Sequence, residues 1–481
     1  MNEFRFWLFT AGALLWVAGC AVAPTPTSSP APTLALTAAP TARPASPVPV
    51  TPTPSAATAT APVSNATDWT TYHRDNLRTG YVPGMADPQK LTVAWSVSLD
   101  GAVYAEPLII DGHVIVATEH DSLYSLDTQT GQVVWHTNVG EPVPRSALPC
   151  GNIDPLGITG TPVYDPATGL VFAVAEVTGP AHILVGVDVR TGEVRVRRSA
   201  DITGMEPRVH QQRAALALSQ GMVYWAYGGL FGDCGNYRGM VVASRTDGSG
   251  PLISYQVPTQ REGGIWAAAG PSIDSQDHLF VSVGNGSEVA GAWDHSDSVL
   301  RLSPTLELQD GFAPDQWRQD NLTDADLGSL APVLFSDGSI FIAGKAGIGY
   351  LLNSQKLGGI GGQLQAKPVC HAYGGAAIVG STAFIPCNEG VQQIQVESRK
   401  TFTLSWRADG VPGSPVVGGN TVYGLDRGGM LHALDIATGK ARAAARVGAT
   451  SRFATPTAWC TVTAGTLPSA RPVTPLPRAI A

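Results

Sequence analysis

Five residues of this chain have side chains suited to chemistry at a small-molecule site: Trp266, Asn285, Asp297, Asp326 and Lys345. Asp326, in Asp324-Ala325-Asp326-Leu327-Gly328-Ser329, could act as a base. None of the five falls in a recognisable catalytic motif, and three have a plainer reading. Trp266, in Gly263-Gly264-Ile265-Trp266, reads as packing; Asn285, in Gly284-Asn285-Gly286, reads as a turn; Asp326 reads as a loop cap. A second group has the paired carboxylates and aromatic ring that a glycan site needs: Glu288, Asp294 and Asp297, with Trp293 and His295. A solvated loop accounts for it as well.

The chain has six cysteines. No two are spaced C-x-x-C and no histidines cluster near them, so structural disulfides are expected and metal binding is not. Cys370 and Cys387 flank one expected hairpin and are natural partners, which leaves Cys150 to pair with Cys234 across neighbouring blades. Cys460 is left over, and His210 and His371 are not expected to be metal ligands.

What must position such residues is a repeat. A small residue and Pro recur in short β-rich runs before Pro107, Pro162, Pro271, Pro332, Pro415 and Pro456. Pro-less equivalents at Ala214-Ala215-Leu216 and Gly375-Ala376-Ala377 fill the two long gaps, giving a period of about 50 residues, one four-stranded propeller blade each. Pro cannot donate to a ladder, so it suits the start of an innermost strand lining a central channel. A second element recurs in phase: Leu126-Asp127-Thr128-Gln129-Thr130-Gly131 with Trp135, Val187-Asp188-Val189-Arg190-Thr191-Gly192, and Leu434-Asp435-Ile436-Ala437-Thr438-Gly439. Asp bonds the turn's N–H groups and Gly takes the positive-φ position, while Trp135 packs on the next blade.

Together these motifs resemble the PQQ-like β-propeller repeat of the quinoprotein alcohol dehydrogenase-like superfamily, over roughly residues 69–457. The resemblance implies an eight-bladed, all-β propeller of four-stranded antiparallel blades, the last blade either complete or incomplete. Thr92–Val97 is expected to be the outer strand of the blade begun at Phe453. Relatives that bind PQQ hold Ca²⁺ with Glu, Asn and Asp at the channel mouth, use an Asp base and stack the cofactor between a Trp and adjacent cysteines. This chain has no adjacent cysteines, and no cofactor is expected; PQQ with Ca²⁺ is the requirement of a dehydrogenase alternative. Other relatives are non-catalytic scaffold lipoproteins, one of them in the outer-membrane β-barrel assembly machine.

Residues 1–20 read as a signal segment ending in a lipobox, Val17-Ala18-Gly19-Cys20, with Cys20 the lipidated residue. Residues 21–67 are Pro-, Thr-, Ala- and Ser-rich and read as an extended disordered linker of about 140 Å. The propeller spans 68–460 and an irregular tail 461–481, arising from either an incomplete blade or a change of coding frame near Ala458. Charged residues make up 14% of the chain and the net charge is −8 without a basic run, which excludes a nucleic-acid or anionic-lipid patch. The expectation is a lipid-anchored, extracytoplasmic propeller that binds an envelope protein or cell-wall polymer without catalysis; a quinoprotein dehydrogenase and a glycan-directed propeller are the alternatives. Any small-molecule pocket should lie at the channel mouth, near Arg145, His210, Gln211, Trp266, Asn285, Lys345, His371 and Arg427.

Overall fold

A computed structural model describes residues 68–447 and 476–479. Seven four-stranded antiparallel blades follow one another along the described chain. Their innermost strands are Leu108–Ile110, Val163–Asp165, Ala217–Ser219, Ser272–Ile273, Val333–Leu334, Ala377–Val379 and Val416–Gly418. Each begins at, or one residue beyond, the small-residue or Pro position read from the sequence. Second and third strands are nearly continuous buried apolar runs, such as Leu279–Val283 and Ser339–Ala343, because blades face blades on both sides. Outer strands alternate, as in Val194–Ser199, with one side open to water.

The described residues form seven blades, not the eight expected from the repeat count. The eighth repeat starts at Thr455-Pro456, outside the described residues, as do Phe453, Cys20 and Cys460. Val93–Val97 does not join an antiparallel blade; it pairs in parallel with Leu476–Ala479. Its packing nevertheless follows the outer-strand rule. Trp95 Nε1 donates to Thr128 O at 3.0 Å, and a Cβ on Gly131 would lie 2.5 Å from the Trp95 ring. Trp135 does the same to blade two through Val189 O (2.9 Å) and Gly192, and Trp406 to blade seven through Ile436 O (3.0 Å) and Gly439. In each turn the Asp carboxylate takes the expected bonds: Asp127 Oδ1 accepts from Thr130 N at 2.8 Å and from its hydroxyl at 2.7 Å.

One end of the channel is laced shut by residues 68–82. Trp69 bonds Ile109 in blade one, Thr70 O accepts from Tyr164 N in blade two, and Asn76 O from Ile273 N in blade four. Thr79 O and Gly80 O accept from Ile378 N and Val417 N in blades six and seven. The buried Arg78 guanidinium donates to Thr71 Oγ1 (2.6 Å), Pro271 O (2.9 Å) and Leu216 O (3.1 Å). Burial of the Glu106 carboxyl is relieved by Trp69 Nε1 at 2.6 Å. Small residues make room: Tyr72 packs among Ala215, Ala267, Ala269 and Ala331, and a Cβ on Gly375 would lie 2.6 Å from its ring. The opposite end of the channel, where second strands turn into third strands and each blade leads into the next, is open.

Candidate functional site at the channel mouth

At the open end lies a cavity of about 420 Å³. It is lined by Arg213, Gly229–Asp233, Tyr237, Gly264, Trp266, Asn285, Asp324, Asp326, Lys345, Tyr373 and Asn388. Two kinds of loop supply them. Asn285, Lys345 and Asn388 each sit two residues beyond the second strand of blades four, five and six. Arg213, Trp266, Asp326 and Tyr373 come from the connections into the next inner strand.

Glycines seat the centre. A Cβ on Gly228 would lie 2.9 Å from Trp266 Cβ, and one on Gly284 would lie 2.9 Å from Trp266 Nε1 and collide with Asp326. The backbone therefore comes close enough for Asn285 N to donate to Asp326 Oδ1 at 2.6 Å. Asp326 Oδ2 meets Lys345 Nζ at 2.5 Å, and the same ammonium meets Asp324 Oδ1 at 2.7 Å. Burial works against the Lys345 charge, but the two carboxylates outweigh it and hold its pKa above the ordinary lysine range. Behind Asp326, Asp297 is fully buried; its Oδ1 accepts from Leu327 N at 3.0 Å. Burial, with Asp326 nearby, pushes the Asp297 carboxyl well above its usual range. The Arg213 guanidinium carbon and the Lys345 ammonium lie 5.2 and 5.6 Å from the Trp266 ring centroid.

Of the residues the sequence pointed to, Trp266, Asn285 and Lys345 line this cavity, with Asp326 beside them. Arg427 stands at the rim, donating to Asn388 O at 3.3 Å. The other four lie elsewhere. Arg145 holds its own loop through Gly151 O and Leu148 O. His210 is buried with Nδ1 on Glu206 O, and Gln211 is a buried strand residue paired with Gly228. His371 faces solvent beside Glu389. The glycan-type group does not converge on the cavity either: Glu288 caps Ala290 N and Gly291 N, and Asp294 bonds Ser296. Arg213, Asp233, Asp324, Tyr373 and Asn388 were not anticipated. Both expected disulfides are present, Cys150–Cys234 and Cys370–Cys387, with Cα separations of 6.0 and 5.7 Å. A second cavity, of about 600 Å³, opens among turn residues including Asp274, Asp337, Asn353 and Arg399 and gathers none of the expected residues.

The family model described as outer membrane protein assembly factor BamB matches residues 86–298. The fold of this chain is that of the PQQ-like β-propellers. A quinohemoprotein alcohol dehydrogenase from Pseudomonas putida HK5 is similar at 15% identity and TM-score 0.65, over 83% of this chain and 74% of that one. The quinohemoprotein alcohol dehydrogenase of Comamonas testosteroni is similar at 17% identity and TM-score 0.62, over 79% and 73%. BamB from Moraxella catarrhalis aligns at 16% identity and TM-score 0.50, over 74% and 91%. No curated protein matches the sequence. At these identities the likeness of this PQQ-like propeller to the solved structures is one of fold.

A PQQ site needs a flat aromatic floor, a base and a cation held by a carboxylate, an amide and an aspartate. Trp266, Asn285 and Asp326 provide the floor, an amide and an acid. The cation half fits poorly. Both Asp326 oxygens are engaged, by Asn285 N and Lys345. Among the described residues no three His, Cys, Asp or Glu side chains are grouped to hold a metal ion.

Proposed function

We propose that this PQQ-like propeller is a non-catalytic binding module of the bacterial cell envelope that takes a small, flat, polar molecule at its channel mouth. The observation that carries this is the Trp266 face in a cavity of about 420 Å³, flanked by Arg213 and by a lysine paired with two aspartates. A flat ring stacks on indole, and the alternating charges around it suit a ligand with both donors and acceptors. The match to the BamB family model supports an envelope location, and lipidation at Cys20 belongs to this reading. Among the described residues no helix is long and apolar enough to cross a membrane.

The convergence of Trp266, Asn285, Asp326 and Lys345 supports a second reading, a quinoprotein dehydrogenase. The two readings differ in turnover. The purified protein, incubated with PQQ and Ca²⁺ and given alcohols or sugars, should reduce no artificial electron acceptor. Acceptor reduction that disappears in D326N would replace the binding reading with the dehydrogenase one.

A further inference from the structure

The cavity's outer wall is a single loop held by one cross-link. Leu230, Phe231, Gly232, Asp233 and Tyr237 are five of the fifteen lining residues, all from the second-to-third-strand loop of blade three. Cys234, in the same loop, is bonded to Cys150 in the connection between blades one and two. Gly232, Asp233 and Gly235 have φ of 101°, 51° and 80°, a run that the chain does not favour by itself. Its other ties are hydrogen bonds: Tyr237 Oη donates to Asp233 Oδ1 at 2.6 Å, the half-exposed Arg261 donates to Asp233 O and Gly235 O, Glu262 N donates to Tyr237 O at 2.7 Å, Gly239 N to Glu262 O at 3.0 Å and Arg238 N to His210 Nε2 at 3.4 Å. A small apolar cluster of Val143, Leu148, Leu156 and Leu230 lies under the cross-link.

The two disulfides differ in access. Cys150 and Cys234 are partly exposed, whereas Cys370 is 7% exposed and Cys387 fully buried. Thiol–disulfide exchange needs a thiolate to reach a sulfur, so access alone separates them.

We propose that Cys150–Cys234 is a reducible latch that holds this wall and thereby sets ligand occupancy at the mouth; the consequence for occupancy rests on the binding reading above. A dithiol reductant attacks one sulfur, forming a mixed disulfide and releasing the other cysteine as a thiol. Its second thiolate then displaces the remaining cysteine. Two electrons and two protons pass to Cys150 and Cys234, and the reductant leaves as a disulfide. The freed loop keeps only its hydrogen bonds and the small cluster, so the wall loosens.

The test is mild dithiothreitol treatment of the folded protein, alkylation with iodoacetamide, peptide mapping and amide hydrogen exchange. Cys150 and Cys234 should be alkylated while Cys370 and Cys387 are not. Exchange across 230–239 should rise at least tenfold, with blades five and six unchanged. The C150S/C234S variant should reproduce this without reductant, and the affinity for PQQ, used as a flat probe, should fall at least tenfold. Equal alkylation of both pairs, or unchanged exchange across 230–239, overturns the latch. If the oxidised protein takes up no PQQ, the binding reading loses this probe, while alkylation and exchange still decide the latch.

Discussion

At Lys345 one ammonium holds two acids, and this sets the strongest single-residue expectation. Replacing Lys345 by Met leaves Asp326, 2% exposed, without its cation. Breaking a buried pair costs about 3 kcal/mol or more, whereas removing both charges is close to neutral. K345M should therefore lower the urea midpoint strongly, and K345M/D326N should recover most of the loss; equal losses in the two variants would mean that the pair carries no such energy. Buried acids between blades one and two set a pH dependence. Burial raises Glu119 to about 8, against bonds from Gly157 N and Thr159. Burial, with Glu119 and Glu176 beside it, raises Asp121 to about 8. Burial opposes the His182 charge, but Glu176 and Asp201 hold it up at about 9. All three groups bind protons more tightly folded than unfolded. Their stabilisation is present at lower pH and is lost as pH rises through these values. His73, lowered to about 3 by burial, is neutral in both states above pH 6.5 and does not oppose this there. Calorimetric Tm should fall between pH 6.5 and 9, and the slope should flatten in E119Q/D121N; a Tm that rises over that range would contradict the assignment.

At the scale of elements, the turn and the tryptophan of the neighbouring blade form one unit. Gly192 has φ 74°, and a Cβ there would lie 2.8 Å from Trp135. G192A should cost about 1–2 kcal/mol, from backbone strain and displacement of the indole, read as a shift in urea midpoint without a change in slope. This layer was legible in the sequence because its causes are local. Pro107, Pro162, Pro271, Pro332 and Pro415 mark inner strands because Pro cannot pair inside a ladder. Asp-x-x-Thr-Gly marks the last turn because Asp and Gly satisfy its backbone. The mouth was legible only in part. Trp266, Asn285 and Lys345 stood out by type beside glycines, but Arg213 and Tyr373 come from the connections into blades three and six and Asn388 from the second-to-third-strand loop of blade six, and only ring closure brings them together. Blade phase carries the signal for Asn388: Asn285, Lys345, Asn388 and Arg427 each stand two residues past a second strand. The four residues that fell elsewhere, Arg145, His210, Gln211 and His371, are polar for local reasons, bonding their own loops, pairing in a strand or facing water.

At the scale of the molecule, the ring has one laced end and one open end. Residues 68–82 tie the inner strands of at least five blades, and the cavity that gathers the expected residues lies at the other end. The repeat count anticipated eight blades and the described residues form seven; the eighth repeat's start, Thr455-Pro456, lies outside them. The envelope reading predicts that C20S abolishes membrane association on fractionation; retention of C20S in the membrane fraction would remove lipidation from the account. The central claim, that Trp266 is the floor of a binding site, is tested most directly by calorimetric titration of a panel of flat or ring-shaped polar molecules, namely PQQ with Ca²⁺, riboflavin monophosphate and glucose, into the wild type and W266A. The account predicts that at least one binds the wild type and binds W266A at least tenfold more weakly. Binding to none of them, or equal binding to both proteins, would contradict it.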